Sequence, residues 1–318
     1  MRVTRRIGVL VVCVAACGGS STMQTGDDDT GSGRDDAGSG SDMIDAPAQS
    51  ATCETKTAQP LDSDWTVTVG SASRLAKVHV PASYQPSKRT PLVINLHGRT
   101  SNASQQVWLS HMIPKSDAAG FIVMHPESMT SPTSWNSGGG CCDPAAQQNV
   151  DDAGFIRKLL DEAEAKLCID TSRVYVTGLS NGGYLAHRIA CDMADRVAAI
   201  GPVAGLLQGT CAPTKPMPVM LVHGTADTLV DYSWVPSTVN YWKAKNQCTT
   251  MATTFTNGAA SCVTYGGCTA GADVVLCTIT GGGHQWPGGE TIPLLGTKSD
   301  DLIATDALWD FFVAHPRL

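Results

Sequence analysis

RVYVTGLSNGGYLAHRIAC, residues 173–191, reads as an apolar strand, an abrupt glycine-flanked corner and an amphipathic helix. Ser180 sits at the corner, with Gly178 two residues before it and Gly182 two residues after. Glycine is favoured where a chain must turn through conformations that a β-carbon resists. A G-x-S-x-G sequence is a weak signal alone. Between a strand and a helix it marks a nucleophile elbow, which pushes the serine hydroxyl out at the strand's carboxyl end. The helix that follows aims amide N–H groups and its positive dipole end at that hydroxyl.

Working outward, near-continuous apolar runs recur at 91–97, 120–125, 173–178, 197–204, 217–223 and 272–279. Such runs suit strands covered on both faces. Between them, residues 150–167 carry a helical stripe of Phe155, Ile156, Leu159, Leu160 and Ala163, and 182–194 and 305–315 carry similar stripes. This alternation predicts a single α/β domain, a mostly parallel sheet with helices on both faces. WTVTV (65–69) and RLAKVHV (74–80) read as an antiparallel N-terminal hairpin added at one edge.

The first fifty residues stand apart from that domain. MRVTRR (1–6) is a basic segment, IGVLVVCVAA (7–16) a short apolar one, and VAAC (14–17) ends in a cysteine. The order resembles a lipoprotein signal peptide over residues 1–17, with Cys17 as the lipidated N-terminus after cleavage. Residues 18–50 hold seven aspartates and almost no bulky apolar side chain, a composition that buries too little surface to fold and reads as a linker. Residues 51–318 form the expected catalytic domain. An exported protein, anchored in a membrane through its lipid or released outside the cell, is the expectation. The formal charge is −7, which gives no reason to expect a nucleic-acid partner.

Twelve cysteines are present. Setting aside Cys13 and Cys17, ten remain at 53, 141, 142, 168, 191, 211, 248, 262, 268 and 277. In an oxidising compartment these supply up to five disulfides. No C-x-x-C pair or histidine cluster has zinc-ligand spacing, so no metal is expected.

A serine hydroxyl needs a base to act as a nucleophile. His284 lies in GGGHQWPGG (281–289), a glycine-rich loop after the last apolar strand, whereas the other histidines close strands, lie within elements or end the chain. The base in turn needs a carboxylate. Asp227 follows the strand at 217–223 closely, and Asp231 is the alternative four residues on. Ser180, Asp227, His284 is the chain order of α/β-hydrolases. An oxyanion site would draw on the amides of Asn181 and of Arg99, the latter after LVINLHG (92–98), with Thr100 as a second choice for the loop donor.

LHGRTSN, WNSGGGCCDPAAQQNVDDAGFIRKLL, CIDTSRVYVTGLSNGGYLAHRIAC, PVMLVHGTADTLVDY and TGGGHQWPGG together resemble the secreted polyhydroxybutyrate depolymerase and feruloyl esterase group, the LpqC-like esterases, over residues 60–315. The resemblance implies cofactor-free hydrolysis of carboxylic esters through an acyl-serine, with Ser180, Asp227 and His284 at the triad positions. Arg99 stands where relatives often carry cysteine. A Cys248–Cys268 bridge is implied as a loop closure of the family, with Cys262–Cys277 a cross-strand addition. Cys141 and Cys142 are expected to bond separate distant partners. Trp286 and Trp135 are candidates for an aromatic wall against the acyl group.

The expected substrates are hydroxycinnamoyl esters of plant polysaccharide, with polyhydroxyalkanoate or short-chain esters as the alternative. An α/β-hydrolase peptidase and a non-catalytic surface lipoprotein are the remaining readings. The protein is expected to work as a monomer.

Overall fold

The computed structural model describes residues 53–317. The proposed signal peptide, Cys17 and the linker lie outside these residues. The central elements are β3 (Thr90–Leu96), β4 (Ile122–Pro126), β5 (Ile169–Leu179), β6 (Ala199–Val203), β7 (Val219–Gly224) and β10 (Val274–Ile279). They run parallel in the spatial order β4-β3-β5-β6-β7-β10. The antiparallel pair β1 (Asp62–Val69) and β2 (Ala72–His79) extends the β4 side, as the sequence predicts.

The other edge carries a hairpin that the apolar runs do not announce. Strands β8 (Thr250–Asn257) and β9 (Ala260–Gly266) pair antiparallel, and β9 pairs antiparallel with β10. Every residue of β8 is exposed. An exposed edge needs no apolar side chains, so its threonine-rich sequence carries only β-propensity. The Asn257-Gly258 turn is the one local signal for it.

Both faces of the sheet are covered, and period-two alternation sorts the strand side chains between two cores. Leu92, Ile94, Val174, Val176, Val219 and Leu221 face the first core. Helices α3 (Asp152–Lys166), α4 (Asn181–Asp192) and α5 (Val235–Lys245) close it. Val93, Tyr175, Met220 and Val222 face the second, with α1 (Ala103–Ser110), α2 (Met112–Ala119) and α6 (Ala304–Ala314). There Tyr175 stacks on Phe312 with ring centroids 4.7 Å apart. Asp151 starts α3 by accepting a hydrogen bond from the Gly154 amide at 2.8 Å, which satisfies one of the helix's free N-terminal donors.

All ten cysteines of the domain are bridged. Cys248–Cys268 pairs as the family resemblance implies, Cys262–Cys277 pairs as the expected cross-strand addition, and Cys53–Cys168 and Cys191–Cys211 add two more. Cys141 and Cys142 do not reach separate partners; they bond to each other. The other eight are already paired, and Gly138, Gly139 and Gly140, all at positive φ, fold the chain back just before them. Within this turn the Ser137 amide donates to Cys141 O at 2.8 Å.

Two histidines buried in these cores set an acid limit on stability. Burial, only partly opposed by a backbone hydrogen bond at Gly205, pushes the His187 imidazole down to about 3. Burial and the charges of His79 and Lys77 bring His125 down to about 3 as well. In the folded protein both stay neutral under mild acid, whereas in the unfolded chain they take up protons below about 6.5. Stability is therefore fully present above that value and falls as pH drops from it toward 3, by about 1.4 kcal/mol per pH unit for each histidine. In urea unfolding between pH 6 and 4, His187→Gln is expected to show a gradient shallower than wild type by about one proton's worth.

Candidate active site

Ser180 occupies the corner between β5 and α4 with φ 55° and ψ −122°. This is a strained conformation for a residue with a side chain. The strain falls on the serine, not on its glycines, which do a different job. A Cβ on Gly182 would stand 2.3 Å from Leu96 O and 2.7 Å from His97 O, and one on Gly178 would stand 2.6 Å from Leu96 O. The glycines let the end of β3 lie directly against the corner. The Ser180 amide donates to Val203 O on β6 at 2.8 Å, which pins the turn to the sheet.

Asp227 and His284 are brought together by two laced loops. The Thr225 amide donates to Ile279 O at 2.9 Å and the Ala226 amide to Gly282 O at 2.8 Å. Across this seam His284 Nδ1 lies 2.7 Å from Asp227 Oδ2. The other carboxylate oxygen accepts from the amides of Leu229 and Val230 at 2.9 and 2.8 Å. Burial alone would raise the Asp227 pKa, but the His284 hydrogen bond and charge and these two amides outweigh it and hold the carboxyl below its usual range. Asp227 is therefore ionised at neutral pH. Asp231 turns instead to the Ser233 amide at 2.8 Å, so of the two aspartates it is Asp227 that meets the imidazole.

The histidine loop is shaped by a residue that the sequence pattern does not single out. The Gln285 side chain donates to Ile292 O and Gly296 O and accepts from the Ile292 amide. The His284 amide donates to Leu295 O at 2.7 Å. A buried glutamine beside the candidate base was the available signal, because a buried amide side chain must find backbone partners.

On the other side of Ser180, the loop after β3 comes close enough that a Cβ on Gly98 would sit 3.4 Å from Ser180 Cβ. The Thr100 amide is engaged with Thr133 O at 2.8 Å, which leaves Arg99 as the candidate loop donor. The Arg99 side chain turns away, its Nε donating to Asp143 O at 2.9 Å. Asn181 is the first residue of α4, directly after the serine.

The two candidate tryptophans are not an aromatic wall. Trp135 and Trp286 are each 0% exposed. Trp135 Nε1 donates to His97 O at 2.8 Å, and Trp286 Nε1 donates to Thr305 Oγ1 at 3.0 Å within the second core. Neither ring has a face open to a substrate. The exposed tryptophans are Trp108, at 53%, and Trp234, at 60% on the chain leading from the Asp227 loop into α5.

A mostly parallel sheet, a serine at a strand–helix corner and an acid–histidine pair on later carboxyl-end loops define an α/β-hydrolase. Residues 79–230, which include Ser180 and Asp227, match the family described as Esterase PHB depolymerase. The chain is 33% identical over 230 residues to feruloyl esterase B of Piromyces equi, covering 65% of this chain and 42% of that protein. With the bifunctional acetylxylan esterase/xylanase XynS20E of Neocallimastix patriciarum it shares 27% over 221 residues, covering 67% and 31%. The chain thus spans less than half the length of these two relatives. The acetyl xylan esterase from Aspergillus awamori shares the fold, with a TM-score of 0.61 at 17% identity over 79% of this chain and 99% of that one.

A fluorophosphonate probe is expected to label Ser180, as read by peptide mapping. Asp227→Asn is expected to slow labelling by about 10³- to 10⁴-fold, because the imidazole loses the group that fixes its tautomer. Asp231→Asn is expected to label at the wild-type rate.

Proposed function

We propose that the protein is a serine carboxylic-ester hydrolase that releases acyl groups from esterified plant polysaccharide. The 2.7 Å contact between Asp227 and His284 carries the reading. A binding module has no use for an ionised carboxylate holding an imidazole on the loops that follow a nucleophile elbow. In the mechanism, His284 takes the Ser180 proton as the hydroxyl attacks the ester carbonyl. The amides of Asn181 and Arg99 stabilise the tetrahedral oxyanion. His284 then protonates the leaving alcohol, and water hydrolyses the acyl-serine by the same steps in reverse roles.

The acyl group is argued from the relatives, since the buried tryptophans do not argue for it. One relative is named a feruloyl esterase and another an acetylxylan esterase; both names describe an ester carried on plant cell-wall material. The family description, which names polyhydroxybutyrate, supports the polyester as the second reading.

Residues 1–17 act as a lipoprotein signal in this proposal, Cys17 carries the lipid, and 18–50 tether the catalytic domain of 51–318. Five disulfides fit a domain that matures outside the cytosol.

The purified protein is expected to release ferulate from methyl ferulate and acetate from p-nitrophenyl acetate, and Ser180→Ala is expected to lose at least ~10⁴-fold in kcat on both. Cleavage of the acetate alone, together with release of hydroxybutyrate from polyhydroxybutyrate, would move the substrate to the polyester. No turnover of any of these esters would remove the hydrolase reading. Expressed in a bacterial host, the full chain is expected to partition into the detergent phase of Triton X-114. Cys17→Ser is expected to shift it to the aqueous phase.

A further inference from the structure

Residues 133–136 belong to no helix or strand, yet their polar groups are unusually completely held. Trp135 N donates to Asn181 Oδ1 at 2.6 Å, and Asn181 Nδ2 donates back to Trp135 O at 3.0 Å. Asn136 N donates to Asp152 Oδ2 at 2.7 Å, and Arg188 Nη1 donates to Asn136 O at 2.7 Å. A segment that would otherwise need a neighbouring strand is paired by side chains of α3 and α4.

The same segment grips the opposite loop. Trp135 Nε1 donates to His97 O, Thr133 O accepts from the Thr100 amide, and Thr133 Oγ1 donates to Ser101 O at 2.6 Å. One strap therefore touches both walls of the oxyanion site: the residue whose amide follows Ser180, and the loop that carries Arg99.

The strap's charged anchor is the ion pair between Arg74 Nη2 and Asp152 Oδ1, 2.7 Å long, with side chains 2% and 0% exposed. The Arg74 guanidinium also lies 4.1 Å from the Phe155 ring centroid. Burying two charges costs several kcal/mol per ion by desolvation, so such a pair is a poor way to gain stability. What it supplies here is a fixed carboxylate oxygen for the Asn136 amide.

We propose that Asp152, held by Arg74, is a positioning residue for ester hydrolysis: through residues 133–136 it sets the spacing between the Asn181 and Arg99 amides. This rests on the hydrolase reading above. Misplacement of transition-state contacts by about 1 Å costs on the order of 10²-fold in rate.

Two double variants separate positioning from a purely structural role, because both remove the ion pair without leaving a charge unpaired. Arg74→Met with Asp152→Leu removes the acceptor for Asn136 N, and Arg74→Met with Asp152→Asn keeps one. On p-nitrophenyl acetate the Met/Leu variant is expected to lose about 10²-fold in kcat with KM within threefold of wild type. Its affinity for phenylboronic acid, which forms a tetrahedral adduct on the serine, is expected to fall by the same factor as kcat/KM. The Met/Asn variant is expected to recover most of both.

Equal kcat in the two variants, or a loss confined to KM, overturns the proposal. If the Met/Leu variant does not fold, Asn181→Ala carries the test, since it keeps the Asn181 amide but removes its grip on Trp135; wild-type kcat in that variant overturns the proposal too. A wild-type protein without esterase activity overturns both readings, whereas an active wild type, an inactive Ser180→Ala and an unimpaired Met/Leu variant overturn this one alone.

Discussion

The site depends on one close backbone approach: the end of β3 rests on the bare backbone of Gly178 and Gly182. With a methyl group at either position, Leu96 O would be inside contact distance, and β3, β5 and α4 would have to separate. Their proximity does three things at once. It holds Ser180 at its corner, brings the loop after β3 against the serine, and sets the start of α4 directly after that residue. The parallel order of the strands then places the loops of Asp227 and His284 at the same edge, after β7 and β10.

That geometry explains which features could be read from residues and which could not. Ser180, Asp227 and His284 were legible because each follows a buried strand, and buried strands announce themselves by unbroken apolar runs. The hairpin β1–β2 was legible for another reason: Trp65, Val67, Ala76 and Val78 alternate with more exposed residues. The hairpin β8–β9 was not, since an edge strand exposed along its whole length has no apolar pattern to display. The choice between Asp227 and Asp231 turned on which carboxylate points inward, and that is set by the amides of Leu229 and Val230, which a four-residue spacing does not reveal.

The tryptophans mislead for a related reason. A tryptophan near a catalytic motif in sequence can stack on a substrate or fill a core. Its indole N–H decides the matter only once a partner is seen. Trp135 and Trp286 each find one inside the protein. Adjacency alone does not tell a bridge between Cys141 and Cys142 from two bridges to distant partners; the three glycines before them mark a chain already folding back.

Four of the five bridges join cysteines no more than 20 residues apart, while Cys53 must wait for Cys168, 115 residues later. Along the chain, the first thiols to follow Cys53 are those of Cys141 and Cys142. Bonded to each other, they are not available to Cys53. The pairs 191–211, 248–268 and 262–277 also close over short lengths of chain. The vicinal bridge thus takes out of play the two thiols that lie between Cys53 and its partner along the chain.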